Sequence, residues 1–69
     1  MDEATQELLN ELRGSPTDLI KLVTRIERRP RRAVAIRARA VARWKKADPN
    51  AWDKVERWLI KRDVRIVLH

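Results

Sequence analysis

The sequence predicts an all-α protein, a small three- to four-helix bundle with a short extended or strand-like C-terminal tail. Three observations carry this. Apolar residues recur at helical spacing through most of the 69 residues. The three prolines and the single glycine fall where such helices would begin or end. One β-branched run, Val64-Arg65-Ile66-Val67-Leu68, stands apart near the end of the chain.

The first helix is expected from Asp2 to Arg13. Acids crowd its first turn, where the helix dipole favours them. Met1, Thr5, Leu8, Leu9 and Leu12 form its apolar stripe, and Gly14 supplies a left-handed cap. Ser15-Pro16-Thr17-Asp18 then reads as a new start: Ser15 caps, Pro16 takes the first helical position and Asp18 sits near the capping-box position. This second helix runs to about Arg28, with Leu19, Leu22, Val23 and Ile26 on one face. Pro30 disfavours helical angles at Arg29, which marks a boundary.

The third helix is expected from Arg31 to Ala47. On a wheel of 100° per residue, Ile36, Ala47, Ala40, Ala33, Trp44, Val41 and Val34 span an arc of about 160°. Arg37 alone among the bases falls inside that arc. Asp48-Pro49 repeats the cap-then-proline signal and opens a fourth helix ending near Arg62, with Ala51, Trp52, Val55, Trp58 and Leu59 within one arc. The tail has three candidate outcomes: pairing with its twin across a dimer axis, docking as an extended arm, or extending the fourth helix. The first two rank above the third, because buried or paired backbone groups need partners.

A chain of this length forms one domain, residues 1–69, with a thin core. It has no cysteine, hence neither disulfides nor thiolate metal ligands. No apolar run approaches the ~20 residues of a transmembrane helix, and the acidic N-terminus does not resemble a signal peptide. The expected setting is cytoplasmic, with no membrane association. Catalysis has little to build on: Ser15 is the only serine, and no nucleophile–base pair is evident. His69 is the only histidine and has no companion metal ligands, so no metal or cofactor is expected. Asp53 and Arg57 are spaced for an ordinary surface pair. The three tryptophans fall on apolar faces and read as core mass in a chain without Phe or Tyr. Trp58, at the edge of its arc, is the exception most open to exposure.

The charge is unevenly spread. Residues 1–20 carry five acids and one base, residues 21–47 eleven bases and one acid, and residues 48–69 five bases and four acids. The middle third therefore carries +10, the whole excess behind the net charge of +7. Such asymmetry implies long-range attraction to polyanions. Lys45, Arg31, Lys46, Arg39, Arg32 and Arg43 lie opposite the apolar arc of the third helix, with small alanines between them. Arg28 and Arg29 add charge at the preceding corner, and a helix N-terminus after Pro30 would favour an anion. Guanidinium groups suit phosphate because their planar fork donates two parallel hydrogen bonds.

The expected function is therefore nucleic-acid binding, DNA before RNA, with a regulatory or architectural role. The candidate phosphate contacts are Arg28, Arg29, Arg31, Arg32, Arg39, Arg43 and Lys46. A helix, a corner and a basic helix resemble a helix-turn-helix in outline, although the corner lacks glycine and the third helix lacks Asn and Gln for base reading. A homodimer through Val64–Leu68 is the expected assembly. The alternative function is a small regulatory adaptor that docks on an acidic protein, favoured by exposure of Ile60, Ile20 or Trp58.

Overall fold

The computed structural model describes residues 2–69. Six elements follow in order: α1 (Glu3–Glu11), α2 (Thr17–Arg28), β1 (Ala33–Ile36), α3 (Ala38–Ala47), α4 (Pro49–Lys61) and β2 (Arg65–Leu68). The chain is mostly helical, but β1 and β2 form a two-stranded parallel sheet.

The first two helices start by different means. The Asp2 carboxylate accepts the Thr5 N–H at 2.8 Å, an N-cap that satisfies one of the free amides of α1. Met1, assigned above to the stripe of this helix, lies outside the described residues. Gly14, at φ +83°, turns the chain toward α2. Pro16 occupies the cap position of α2, and no side chain caps it. Ser15 does not act as the expected cap; its hydroxyl donates to Asp48 Oδ2 at 3.0 Å instead. Asp18 does not close a capping box either, because both its oxygens are drawn to α3. Asp48 behaves as expected: it accepts the Ala51 N–H at 3.1 Å, with Pro49 opening α4.

The third helix is where the structure departs from expectation. Residues 31–37 are not helical; Ala33–Ile36 form β1 and α3 begins only at Ala38. The physical reason lies in Val34 and Ile36. Two residues apart, they stand about 160° apart on a helix, at opposite edges of the apolar arc, yet on the same side of a strand. As a strand, both are buried while Ala35 between them is exposed. The tail supplies the ladder that makes this worthwhile. β2 pairs with β1 of its own chain in the register Ala33↔Arg65 to Ile36↔Leu68, so the tail is extended and docked as a strand on its own chain, and it does not continue α4. A parallel pair needs a long crossover, and α3 with α4 provides one.

The core lies beneath this sheet, among Leu12, Leu19, Val23, Ile26, Val55 and Leu59, all fully enclosed. Trp44 and Trp52 stack with centroids 5.6 Å apart. All three tryptophans are buried, Trp58 included. Trp58 donates its Nε1–H to Thr5 Oγ1 at 3.0 Å, and Arg62 lies 4.5 Å above its ring. Among the described residues, no helix is long and apolar enough to cross a membrane.

Candidate polyanion interface

The seven basic residues singled out by sequence do not share one helix. Arg28 closes α2, Arg29 caps it, and Arg31 and Arg32 occupy the connection to β1. Only Arg39, Arg43 and Lys46 belong to α3. The continuous basic helix is thus broken by β1, and the helix-turn-helix outline fails with it, since α2 is followed by a strand. The expected anion-binding helix start after Pro30 is likewise absent; Arg37 is the cap of α3, and it is itself a cation.

All seven side chains are nonetheless exposed. Arg39 and Lys46 lie on the side of α3 opposite the buried Val41. Arg43 differs from the other six. Its Nη2 lies 2.6 Å from Asp18 Oδ2, and Trp44 Nε1 donates to the second oxygen of the same carboxylate at 2.9 Å. Partial burial pushes the Asp18 carboxyl up. The hydrogen bonds from Trp44 and Arg43, with the Arg43 charge, outweigh that and hold it below its ordinary value. Arg43 is therefore partly neutralised at rest.

The other acids that form ion pairs do so away from these seven cations. Glu27 is the one acid of the basic segment, and it turns away from the cations around it. Its Oε2 meets Arg62 at 3.0 Å and accepts the Thr5 hydroxyl at 3.1 Å. Glu11 pairs with Lys54, and Asp2 with Arg62. Asp2 is held below its ordinary pKa chiefly by the bonds from Thr5, which with the lesser pull of Arg62 outweigh the upward push of desolvation. Asp53 takes Arg57 at 3.1 Å, the surface pair anticipated from its spacing. Among the described residues, ten of the eleven bases from Lys21 to Lys46 are thus exposed and free of any ion pair.

Two of the seven, Arg28 and Arg29, border a groove of about 820 Å³ between α2 and the β1–α3 junction. Its floor is apolar, formed by Ile20, Ile36, Ala40 and Trp44. Lys21, Arg25 and Arg37 join its rim, and sequence reasoning missed all three as site residues. A signal was available: Lys21, Arg25 and Arg28 are spaced four and three residues apart, which aligns them along one face of α2. Arg31, Arg32, Arg39 and Lys46 do not line the groove and face solvent outside it.

Comparison of the chain with protein-family models, with curated proteins and with solved structures found no match.

Proposed function

We propose that the chain is a small nucleic-acid-binding protein of the cytoplasm, acting on DNA before RNA in a regulatory or architectural role. It holds phosphates through Arg28, Arg29, Arg31, Arg32, Arg39 and Lys46. One observation carries this reading: among the described residues the middle third keeps ten of its eleven cations exposed and outside any ion pair, while its only acid, Glu27, is engaged by Arg62 and Thr5. An exposed structural surface normally mixes signs so that neighbours pair. Cations left without partners raise the potential around the protein and attract a polyanion.

Phosphate contact is better supported than base reading. α3 contains neither Asn nor Gln, and no exposed tryptophan offers a stacking face. Binding is therefore expected to be largely independent of sequence. Six unpaired cations that each neutralise a phosphate give a slope of log K against log salt of about −5. A titration of duplex DNA between low and moderate salt measures this, with the double reversal Arg39→Glu/Arg43→Glu beside it. A shallow slope, or a reversal without effect, removes the proposal.

The rival partner is an acidic protein, and one observation favours it: Ile60 on α4 is 67% exposed. A protein interface with an apolar centre would resist salt, so the same titration separates the two. A homodimer through the tail belongs to the same proposal. The ladder with β1 leaves the outer edge of β2 unpaired, and Leu68 on that strand is 55% exposed. Open strand edges are templates for a further strand.

A further inference from the structure

The groove beside α2 holds a second free strand edge, that of β1. The ladder fixes which of its groups are used. Arg65 N–H donates to the Arg32 carbonyl at 2.8 Å, His69 N–H to the Ile36 carbonyl at 3.1 Å, and Ala38 N–H to the His69 carbonyl at 2.9 Å. In a parallel ladder the bonded residues alternate, so even-numbered residues of β1 face β2. Ala33, Ala35 and Arg37 consequently turn their N–H groups the other way, and none of the three has a backbone partner there. Ala35 and Arg37 line the groove and are exposed.

We propose that this groove is a docking site for an extended acidic peptide segment of another protein, which adds as a strand to the free edge of β1. Three features converge on this occupant. The strand edge offers main-chain hydrogen bonds, which only a polypeptide can return in register. The floor of Ile20, Ile36 and Ala40 is apolar and suits the side chains on one face of an incoming strand. The rim is cationic, and the one acidic side chain that lines the groove, Asp18, already has both oxygens bound by Arg43 and Trp44. A segment alternating acidic and apolar residues matches both, because successive side chains of a strand point to opposite faces. Single-stranded nucleic acid fits less well: Trp44 in the floor is buried and shows no face for a base to stack on. The groove shares Arg28 and Arg29 with the proposed phosphate contacts but not Arg31, Arg32, Arg39 and Lys46, so the strand edge of β1 rather than the rim charge is what separates peptide docking from nucleic-acid binding.

The test uses the full chain and a fluorescein-labelled octapeptide alternating Glu and Val. An octapeptide alternating Lys and Val serves as the charge control. The acidic peptide should bind, the basic one should not, and the amides of Ala33, Ala35 and Arg37 should shift and become protected from exchange. Ala35→Pro removes one groove-facing N–H without touching the β1–β2 ladder, a placement that edge strands tolerate. It should weaken the acidic peptide roughly tenfold or more, the worth of one or two hydrogen bonds, and leave duplex DNA binding as it was. Lys21→Glu/Arg25→Glu should also weaken the peptide, and it covers the case in which the proline variant fails to fold. Absence of binding to the acidic peptide, or binding that leaves those three amides unshifted, overturns the proposal. So does displacement of the peptide by oligothymidine with the same amides shifted, which would assign the groove to single-stranded nucleic acid.

Discussion

Removing an acid should strengthen polyanion binding at one identifiable position. Asp18→Asn keeps an oxygen that can accept from Trp44 Nε1 and deletes the charge that holds Arg43. The Arg43–Asp18 pair is open to solvent, its side chains being 57% and 44% exposed. Pairs of this kind contribute about 0–1 kcal/mol, so the fold should survive with little loss. The freed Arg43 joins the unpaired cations of α3, and each added phosphate contact steepens the salt slope by about 0.9. At 0.1 M salt this corresponds to roughly eightfold tighter binding, with the gain vanishing toward 1 M. The assay is fluorescence anisotropy of labelled duplex DNA across salt, run on four proteins: the parent, Asp18→Asn, Arg43→Ala and the double variant. Arg43→Ala should change the parent little, because that guanidinium is already engaged. In the Asp18→Asn background it should return the slope to the parent value. An unchanged slope in Asp18→Asn would mean that Arg43 does not face the polyanion. A gain that survives in the double variant would mean that the effect is the general loss of a negative charge rather than the release of Arg43.

Four further outcomes follow from the same geometry. Thr5→Val deletes a fully buried hydroxyl that donates to Glu27 and accepts from Trp58 and Arg62, its entire hydrogen-bonding capacity. Leaving the Trp58 N–H buried and unpaired should cost about 1–3 kcal/mol in urea unfolding, and the cost should shrink in a Trp58→Phe background. Gly14→Ala meets no atom within 4 Å, so its destabilisation, about 1–2 kcal/mol, comes only from the left-handed backbone and should appear as a lower melting temperature. Because Asp18 is held below its ordinary pKa of 3.8 in the fold, its contribution is present above that value and is lost as pH falls further. Acid unfolding of Asp18→Asn should accordingly be shallower than that of the parent below pH 3.8. Leu68→Lys should abolish self-association in sedimentation if the β2 edge forms a dimer, and a dimer that persists would place the interface elsewhere.

Much of the fold was legible because its signals are local. The Asp48-Pro49 start, the Gly14 turn and the tryptophan-bearing face of α4 each follow from a few adjacent residues. β1 was not legible from helical periodicity, because Ala33 and Ala35 suit a helix and because Ala40, Val41 and Trp44 continue the pattern beyond it. What decides the issue is long-range: β2, more than two dozen residues later, provides the ladder. The isolated β-branched tail was itself the clue, since a strand implies a partner, and Val34 with Ile36 was the one other alternating branched pair nearby. The candidate site was legible in charge but not in shape. Clustering of cations can be counted along a chain, whereas Asp18 reaching Arg43 and Glu27 turning to Arg62 depend on how helices pack.

The distribution of ion pairs explains how a chain with ten acids keeps a bare basic surface. Apart from Asp18, the acids that make ion pairs do so with bases of α4 and its cap. Glu11 takes Lys54, Asp53 takes Arg57, and Asp2 and Glu27 both converge on Arg62. The acids of the first helix and its cap that are paired, Glu11 and Asp2, therefore meet the last helix and its cap rather than the strongly basic segment between them. Arg62 is central to this arrangement, because it also covers the Trp58 ring and donates to Thr5. Arg62→Ala should consequently act at two levels. It removes packing and hydrogen bonds from the α1–α4 contact, which lowers stability. It also releases the Glu27 carboxylate, at the end of α2, to the adjacent cations Arg28 and Arg29. The second effect predicts weaker DNA binding and a shallower salt slope even under conditions where the variant is fully folded. The double variant Arg62→Ala/Glu27→Gln should recover the slope without recovering the stability. If Arg62→Ala lowers stability yet leaves the slope intact, the bareness of the basic surface does not depend on where the fold sends its acids.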